Sequence, residues 1–422
     1  MKSVIAGIAF LSAAVSVTPA SAQTPCQPAT YAAPDGDFVV LAKSPAVAAP
    51  ALRYQFRDGR RGATSDADVP LACGAADVSV DGEVWKPIAF RETPASFDSV
   101  GTKMNGMLIE PSGQNAQRPL VVMVHGSERS SPIGGIYGYA MAAQGISVFV
   151  YDKRGTGGSE GEYTQNFELL AADAAKALDT ARGMTAGRHG RAGFFGGSQG
   201  GWVAPLAATR TKADFVAVGF GLVASPIEED REQMVSEVRA EGLGKDAEAL
   251  VNRLSAATSK LVLTNFTQGY EVLDAVRREM AAQPWAAAIN GEYSGAIARM
   301  TNDELKRLGR ARFDNVELIW DYDAVAALRK LDTPLLWVLA GEDREAPIET
   351  TRAALLKLAE AGKPFDVYLF PDTDHGMFEF TTAADGSRSI TRITDGYLKL
   401  LGDWIKGDTH GAYGRVERLT PR

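Results

Sequence analysis

Short apolar runs alternate with amphipathic stretches from about residue 85 to residue 406, and this alternation restricts the possible folds more than any other feature. The runs are LVVMV (120–124), SVFVY (147–151), RAGFF (191–195), FVAVG (215–219), LLWVL (335–339) and DVYLF (366–370). Short, uninterrupted apolar runs are typical of strands buried on both faces, as in a parallel sheet. The pattern therefore predicts an α/β domain with a mostly parallel central sheet, over residues 86–408.

One interval between predicted strands is too long for a single crossover helix. It separates FVAVG from LLWVL, and apolar residues recur in it at helical spacing, as at Met234, Val235 and Val238. We therefore predict a helical cap insertion at about residues 225–325. Residues 409–422 are predicted to form a C-terminal tail.

The first 22 residues have the three parts of a secretory signal peptide. Met1 and Lys2 precede an apolar stretch from Val4 to Val17, and small residues follow as far as Ala22. The stretch is shorter than the roughly 20 apolar residues that span a bilayer. We expect cleavage after Ala22, a secreted or periplasmic protein, and no membrane span.

Residues 23–85 are predicted to form a small β-rich module. Two Asp-Gly pairs stand between alternating apolar residues, in segments 52–62 and 77–85, and such pairs favour tight hairpins. Cys26 and Cys73 are the two cysteines of the chain. In an oxidising compartment they are expected to form a disulfide, and two buried free thiols are the alternative.

Composition and spacing argue against several classes of protein. The net charge is −8 and lysine and arginine form no cluster, which argues against nucleic-acid binding. Four histidines without ligand spacing argue against a metal site. The segment GTGGSE has Glu160 where a dinucleotide-binding motif needs its third glycine. We expect no metal and no cofactor, and the oligomeric state stays open.

The pattern Gly-x-Ser-x-Gly occurs twice, around Ser159 and around Ser198. It can mark a nucleophilic serine on a sharp turn between a strand and a helix. The RAGFF strand runs directly into GGSQGG, and a helical pattern follows at once, so Ser198 has both flanks. Ser159 is separated from its strand by DKRGT, which indicates a structural glycine-rich loop. Ser198 is the predicted nucleophile.

A serine hydroxyl needs a base to take its proton, and histidine is the usual one. His189 begins the strand that leads to Ser198, and His410 lies in the C-terminal tail. His125 directly follows the first core strand and is interpreted as a structural or oxyanion-loop residue. His375 follows the last strand in a loop, which makes it the predicted base.

A carboxylate should orient that imidazole and stabilise its charged form. Asp343 follows the strand LLWVL, at the tip of a loop, and is preferred to the adjacent Glu342. Asp372 and Asp374, close to His375, remain alternatives. Catalysis would also need two backbone donors for an oxyanion, and these are predicted to be the N–H groups of Gln199 and Ser127; Ser127 lies in the loop after LVVMV.

The chain resembles the α/β-hydrolase superfamily, and within it the bacterial esterases related to prolyl-oligopeptidase-type serine hydrolases. The matching segments are VVMVHGSERSS, VYDKRGTGGSEG, GFFGGSQGGWVAP, LLWVLAGEDREAP and PDTDHGMF. The resemblance implies an α/β-hydrolase fold and a structural role for DKRGTGGS beside the site. Glu128 and Arg129 depart from the small residues that many relatives have after His-Gly.

These residues predict an exported serine hydrolase that cleaves carboxylic esters of small or medium acyl groups. Only about 60 residues precede the α/β domain, too few for the β-propeller of related peptidases. Trp285, Trp320 and Met280 of the insertion are predicted to line the substrate pocket, with packing inside the insertion as the alternative. A serine peptidase or amidase, and a catalytically silent binding protein, remain the alternative functions.

Overall fold

A computed structural model describes residues 25–113, 117–313 and 316–421. The predicted signal peptide, residues 1–22, lies outside the described residues. In the described part of the chain, no helix combines the length and the apolar character needed to cross a bilayer.

The N-terminal module is a seven-stranded antiparallel sheet with strand order β4-β3-β2-β1-β7-β6-β5. Its strands are β1 (Ala29–Ala32), β2 (Phe38–Ala42), β3 (Arg53–Phe56), β4 (Arg61–Ala63), β5 (Leu71–Cys73), β6 (Val78–Val80) and β7 (Glu83–Ile88). Both Asp-Gly pairs form hairpins, β3–β4 and β6–β7. Asp81 and Gly82 have φ of 50° and 84°, as a two-residue hairpin loop requires. The predicted disulfide between Cys26 and Cys73 is confirmed.

The central sheet has nine strands in the order β18-β15-β14-β13-β12-β10-β11-β9-β8. The strands of this part of the chain are β8 (Phe90–Ser99), β9 (Thr102–Pro111), β10 (Arg118–Val124), β11 (Ser147–Tyr151), β12 (His189–Gly197), β13 (Phe215–Gly219), β14 (Leu335–Ala340), β15 (Phe365–Phe370), β16 (Phe378–Thr382), β17 (Arg388–Ile393) and β18 (Glu417–Arg418). Strands β10 to β15 are mutually parallel, and they contain the six predicted apolar runs. Strands β8, β9 and β18 add antiparallel edges, and β16 and β17 form a separate hairpin.

Helices cover both faces of the central sheet, which explains why its strands are apolar throughout. The helices are α1 (Ile136–Ala142), α2 (Phe167–Met184), α3 (Gly200–Ala208), α4 (Pro226–Ala240), α5 (Lys245–Leu263), α6 (Tyr270–Ala281), α7 (Ser294–Arg299), α8 (Asn302–Phe313), α9 (Ala324–Lys330), α10 (Glu349–Glu360) and α11 (Tyr397–Lys406), with 3₁₀ turns at Ala286–Ala288 and His375–Met377. Helices α2, α3, α9 and α10 pack on one face, and α1 and α11 pack on the other.

Helices α4 to α8 form the helical insertion, which has a core of its own between β13 and β14. Helix α4 begins with a capping box: the Glu228 N–H donates to Ser225 Oγ, and the Ser225 N–H donates to Glu228 Oε2 at 2.8 Å. The buried core includes Met234, Leu254 and Leu273. The predicted α/β class with a helical insertion and an N-terminal β-rich module is confirmed.

The N-terminal module contacts the α/β domain beside the loop that carries His375. The N–H of Ile393 in β17 donates to the Gly59 carbonyl at 3.1 Å. Gly59 has a φ of 99°, and a Cβ there would lie 1.9 Å from the Ile393 carbonyl oxygen, so this turn requires glycine. The Arg61 guanidinium stands 4.6 Å above the ring of Phe378, three residues beyond His375.

Candidate active site

Ser198 lies on a sharp turn between β12 and α3. Its φ of 52° is positive, which is uncommon for a residue with a side chain and stores backbone strain. A Cβ on Gly196 would lie 2.6 Å from the Gly200 carbonyl oxygen, so the turn closes only because Gly196 has no side chain. The strand, the turn and the helix follow one another without a gap, as in a nucleophile elbow.

Ser198, His375 and Asp343 meet at the carboxyl ends of the parallel strands. The Nε2 atom of His375 lies 3.1 Å from Ser198 Oγ, and its Nδ1 atom lies 2.9 Å from Asp343 Oδ2. This geometry allows the Nδ1–H group to donate to Asp343 and leaves Nε2 to accept the hydroxyl proton of Ser198. The sequence separations are 177 and 32 residues, so the fold brings these side chains together.

Burial and neighbouring charges set the acid–base properties of this group. Asp343 is 7% exposed, and burial raises the pKa of its carboxyl although His375 and the Ala346 N–H both donate to it. Burial alone would lower the pKa of His375. The hydrogen bond from His375 to Asp343 and the negative charges of Asp343, Glu345 and Asp374 outweigh burial and raise that pKa above its ordinary value.

The alternative carboxylates have other partners. Asp372 pairs with Arg415 at the surface. Asp374 pairs with Arg388 at 2.7 Å, and it accepts the backbone N–H of His375 rather than its imidazole. Glu342 also binds Arg388. The structure therefore brings Asp343 alone of these four to the imidazole.

The other three histidines lie apart from Ser198 Oγ. His125 is 8% exposed and its Nε2 atom bonds the Tyr151 carbonyl; burial, with the charge of Lys153, lowers its pKa to about 4. His189 begins β12 and bonds Thr185. His410 follows the last helix.

Ser159 is bound into the glycine-rich loop after β11. Its hydroxyl donates to the Asp152 carbonyl at 2.7 Å and accepts the Asn105 N–H at 2.9 Å. The first hydrogen bond closes the loop on itself, and the second ties it to Asn105 in β9. The geometry is that of a structural residue.

Ser127 and Gln199 lie on the two loops that border Ser198. Ser127 follows β10, and Gln199 precedes the first residue of α3. Both line one cavity together with Ser198. Across residues 25–113, 117–313 and 316–421, no backbone carbonyl accepts the N–H of either residue, so both donors are available to a ligand.

A mostly apolar cavity of about 320 Å³ opens on one side of Ser198. Its apolar walls include Met123, Ile136, Tyr137, Phe195 and Phe220. The cavity lies under α1 and the loop after β10. It has the size and lining of a site for a small apolar group.

A second cavity, of about 260 Å³, lies between Ser198 and the helical insertion. Trp320 lines this cavity and also packs in the core of the insertion, so its predicted contact with substrate stays a prediction. The structure places Met280 and Trp285 elsewhere. Met280 lies on the apolar face of α6, inside the core of the insertion. Trp285 follows α6 and lines a separate cavity with Leu243.

The second cavity is acidic. Glu229, Glu292 and Glu345 all line it, together with one cation, Arg312. Burial and the neighbouring carboxylates raise the pKa of Glu229 well above its ordinary value, and they raise that of Glu292 to about 7. No local pattern in the sequence indicated this cluster. Acidic residues at the start of α4 have the pattern of an ordinary helix N-terminus, and Glu292 lies 63 residues after Glu229, in a different segment of the insertion.

The sheet, the strained serine turn and the histidine loop define an α/β-hydrolase, as the sequence resemblance predicted. The chain belongs to the family described as serine aminopeptidase, S33, whose model matches residues 115–378. No curated protein sequence matches it.

Solved structures of three other proteins are similar to it at low identity. An esterase of Pyrococcus furiosus is 14% identical over 68% of this chain and 84% of its own, with a TM-score of 0.41. The acylaminoacyl peptidase of Pyrococcus horikoshii is 15% identical over 86% of this chain and 49% of its own (TM-score 0.44). Est1E of Butyrivibrio proteoclasticus, with ferulic acid bound, is 15% identical over 74% and 96% (TM-score 0.39).

Proposed function

We propose that the protein is a serine hydrolase that cleaves carboxylic esters of small or medium acyl groups, with Ser198 as nucleophile. The arrangement of Ser198 Oγ, 3.1 Å from His375 Nε2, with Asp343 2.9 Å from Nδ1, carries this proposal. A binding protein would have no use for a strained serine turn aligned with both groups.

The reaction follows from the roles that this geometry supports. His375 takes the hydroxyl proton as Ser198 Oγ attacks the ester carbonyl carbon. The oxyanion that forms accepts hydrogen bonds from the N–H groups of Ser127 and Gln199. The intermediate collapses, the C–O bond to the alcohol breaks, and His375 returns the proton to the departing alkoxide. Water then attacks the acyl-enzyme with His375 as base, which releases the acid and restores Ser198.

The apolar cavity supports an ester with a modest apolar group. Its walls are side chains such as Met123, Phe195 and Phe220, and its volume is about 320 Å³. An alkoxide or phenolate leaves more readily than an amide nitrogen, which depends on protonation by the histidine. The cavity supports a modest apolar group, and the chemistry of the leaving group favours an ester over an amide.

A second candidate function is hydrolysis of aminoacyl amides or peptides with a free amino group. The acidic cavity favours it, because Glu345 Oε1 lies 3.6 Å from His375 Nε2, and Glu229 and Glu292 line the same space. A protonated amine there would relieve the repulsion among these carboxylates. The ester function remains the first proposal, because its chemistry does not depend on the carboxylates of this cavity.

We also propose that the protein is exported, as the signal-peptide pattern of residues 1–22 predicts. The disulfide between Cys26 and Cys73 supports this, since disulfides persist in oxidising compartments.

A matched substrate panel tests the two functions. Purified protein is assayed with p-nitrophenyl acyl esters, with aminoacyl p-nitroanilides, and with the N-acetylated forms of those anilides. The ester proposal predicts the highest kcat/KM for an ester of a short acyl chain. A higher kcat/KM for a free-amine anilide, lost on N-acetylation, would replace the ester proposal with the second function.

A further inference from the structure

Lys153 is a buried lysine that has no role in the reaction steps of the proposed ester hydrolysis. It follows β11 in the segment DKRGTGGS, and it is 2% exposed. Its Nζ atom lies 2.5 Å from the Gly126 carbonyl oxygen and 3.1 Å from that of Glu128. Among the ion pairs of the described residues, none includes Lys153. Burying an ammonium group without a paired carboxylate costs folding free energy. The burial of Lys153 therefore indicates a function that offsets this cost.

The two carbonyl groups that Lys153 binds belong to the loop after β10, which carries a predicted oxyanion donor. The Gly126 carbonyl and the Ser127 N–H are two ends of one peptide group. In a planar trans peptide they point in opposite directions, so holding the carbonyl fixes the direction of the N–H. Lys153 therefore sets the orientation of the Ser127 N–H from the far side of its peptide plane.

Two further contacts fix the neighbouring parts of this loop. The Tyr163 hydroxyl donates to the Ser127 carbonyl at 2.6 Å, which fixes the next peptide. The His125 imidazole bonds the Tyr151 carbonyl, which anchors the start of the loop. Ser127 itself is exposed, so its backbone has little packing of its own to hold it. The loop is held by side chains from its neighbours.

We propose that Lys153 is a positioning residue that keeps the Ser127 N–H aligned with the oxyanion formed at Ser198. Its ammonium also polarises the Gly126–Ser127 peptide, which strengthens the N–H as a donor at the moment when negative charge develops. This inference rests on the proposed function. It assigns the segment DKRGTGGS a part in transition-state stabilisation.

The charge of Lys153 titrates within the working range of such an enzyme. Burial lowers its pKa to about 8; Glu128 opposes this shift and Arg129 adds to it. The Tyr163 ring lies 5.1 Å from Nζ, and neutral His125 packs nearby. Below about pH 8 the ammonium is charged. Above it the amine keeps two N–H donors but loses its charge, so kcat should fall to a lower plateau.

The test compares Lys153→Met and Lys153→Arg with the wild type on one p-nitrophenyl ester, across the pH range. Because the oxyanion forms only in the transition state, Lys153→Met should lower kcat by roughly 10- to 100-fold and leave KM nearly unchanged. The kcat of Lys153→Met should not fall above about pH 8, as that of the wild type should. Lys153→Arg, which stays charged, should recover activity and also lack the decline.

A control variant separates positioning from stability. Arg418→Met removes a cation paired with Asp366, at the far edge of the central sheet. It should lower the melting temperature and leave kcat unchanged in the folded protein. Wild-type kcat in folded Lys153→Met, or a rise in KM alone, would overturn the proposal. If Lys153→Met fails to fold, the test compares how kcat changes above about pH 8 in the wild type and in Lys153→Arg. An equal decline of kcat in both proteins would overturn the proposal.

The rate of labelling by a fluorophosphonate keeps this test independent of the substrate. Its phosphoryl oxygen also needs the oxyanion donors, whatever ester or amide the enzyme prefers. Slower labelling of Lys153→Met at an unchanged Ser198 supports the role of Lys153 even if no ester is hydrolysed. Equal labelling rates would contradict that role while leaving the proposed function untouched.

Discussion

Glu345 Oε1 lies 3.6 Å from His375 Nε2, the same ring nitrogen that faces Ser198 Oγ. A carboxylate there stabilises the protonated imidazole, as Asp343 does from the other side. The proposed base is therefore harder to deprotonate than an ordinary histidine.

The pH profile should show this directly. Because the folded pKa of His375 is raised, kcat/KM should rise with pH through an apparent pKa above the ordinary 6.5. Glu345→Gln should move that limb to lower pH, since it removes one stabilising charge. The measurement is kcat/KM against pH for both proteins. An unchanged acid limb in Glu345→Gln would show that Glu345 does not act on the base.

The two serines of the repeated pattern should differ sharply. Ser198→Ala should lower kcat by roughly 10⁴-fold or more, because it removes the proposed nucleophile. Ser159→Ala should keep most activity and lose some stability, since Ser159 binds the Asp152 carbonyl and the Asn105 N–H. Steady-state kinetics and thermal melts of both variants check this. Equal losses of kcat would contradict the assignment of Ser198.

Two carboxylates of the acidic cavity, Glu229 and Glu292, should act mainly on amine-bearing substrates. The double variant Glu229→Gln and Glu292→Gln should lower kcat/KM for a free-amine aminoacyl substrate by roughly tenfold and leave its N-acetylated form unchanged. The comparison is made at a pH above 7, where Glu292 is ionised. The same loss for both substrates would show that these carboxylates support the fold rather than bind an amine.

The disulfide should contribute to stability without affecting turnover. Cys26 and Cys73 are 47 residues apart, and Cys73 lies in β5, at the edge of the N-terminal sheet opposite β4. On the chain-entropy model such a cross-link stabilises by about 4 kcal/mol at most. Reduction should lower the melting temperature and leave kcat unchanged at mild temperature. A matching loss of kcat would show that the module positions the site through this bridge.

Much of the fold follows from local patterns in the sequence. The six buried parallel strands are uninterrupted apolar runs, and the two hairpins have Asp-Gly turns. Strand β8 was not predicted, because it is an antiparallel edge strand whose sequence includes Pro94 and charged residues such as Arg91 and Glu92. Hairpin β16–β17 is largely exposed, so its sequence lacks the apolar pattern from which a strand can be predicted.

Site residues could be predicted where a short stretch of sequence determines their position, and could not be predicted where tertiary packing does. Ser198, Asp343 and His375 each follow a recognisable strand, so their meeting could be expected. Contacts within the insertion could not be expected, because Met280 and Trp320 are both apolar residues of its core, and apolar character does not show which one also lines the cavity.

The most direct measurement of the central claim is labelling of the purified protein with a fluorophosphonate, followed by mass spectrometry of the tagged peptide. The reagent reacts fastest with a serine that is activated by a base and lies beside oxyanion donors. We predict a single tag on Ser198, absent from His375→Ala. A tag on Ser159, or no labelling of the folded protein, would contradict the assignment of Ser198 as the nucleophile of a serine hydrolase.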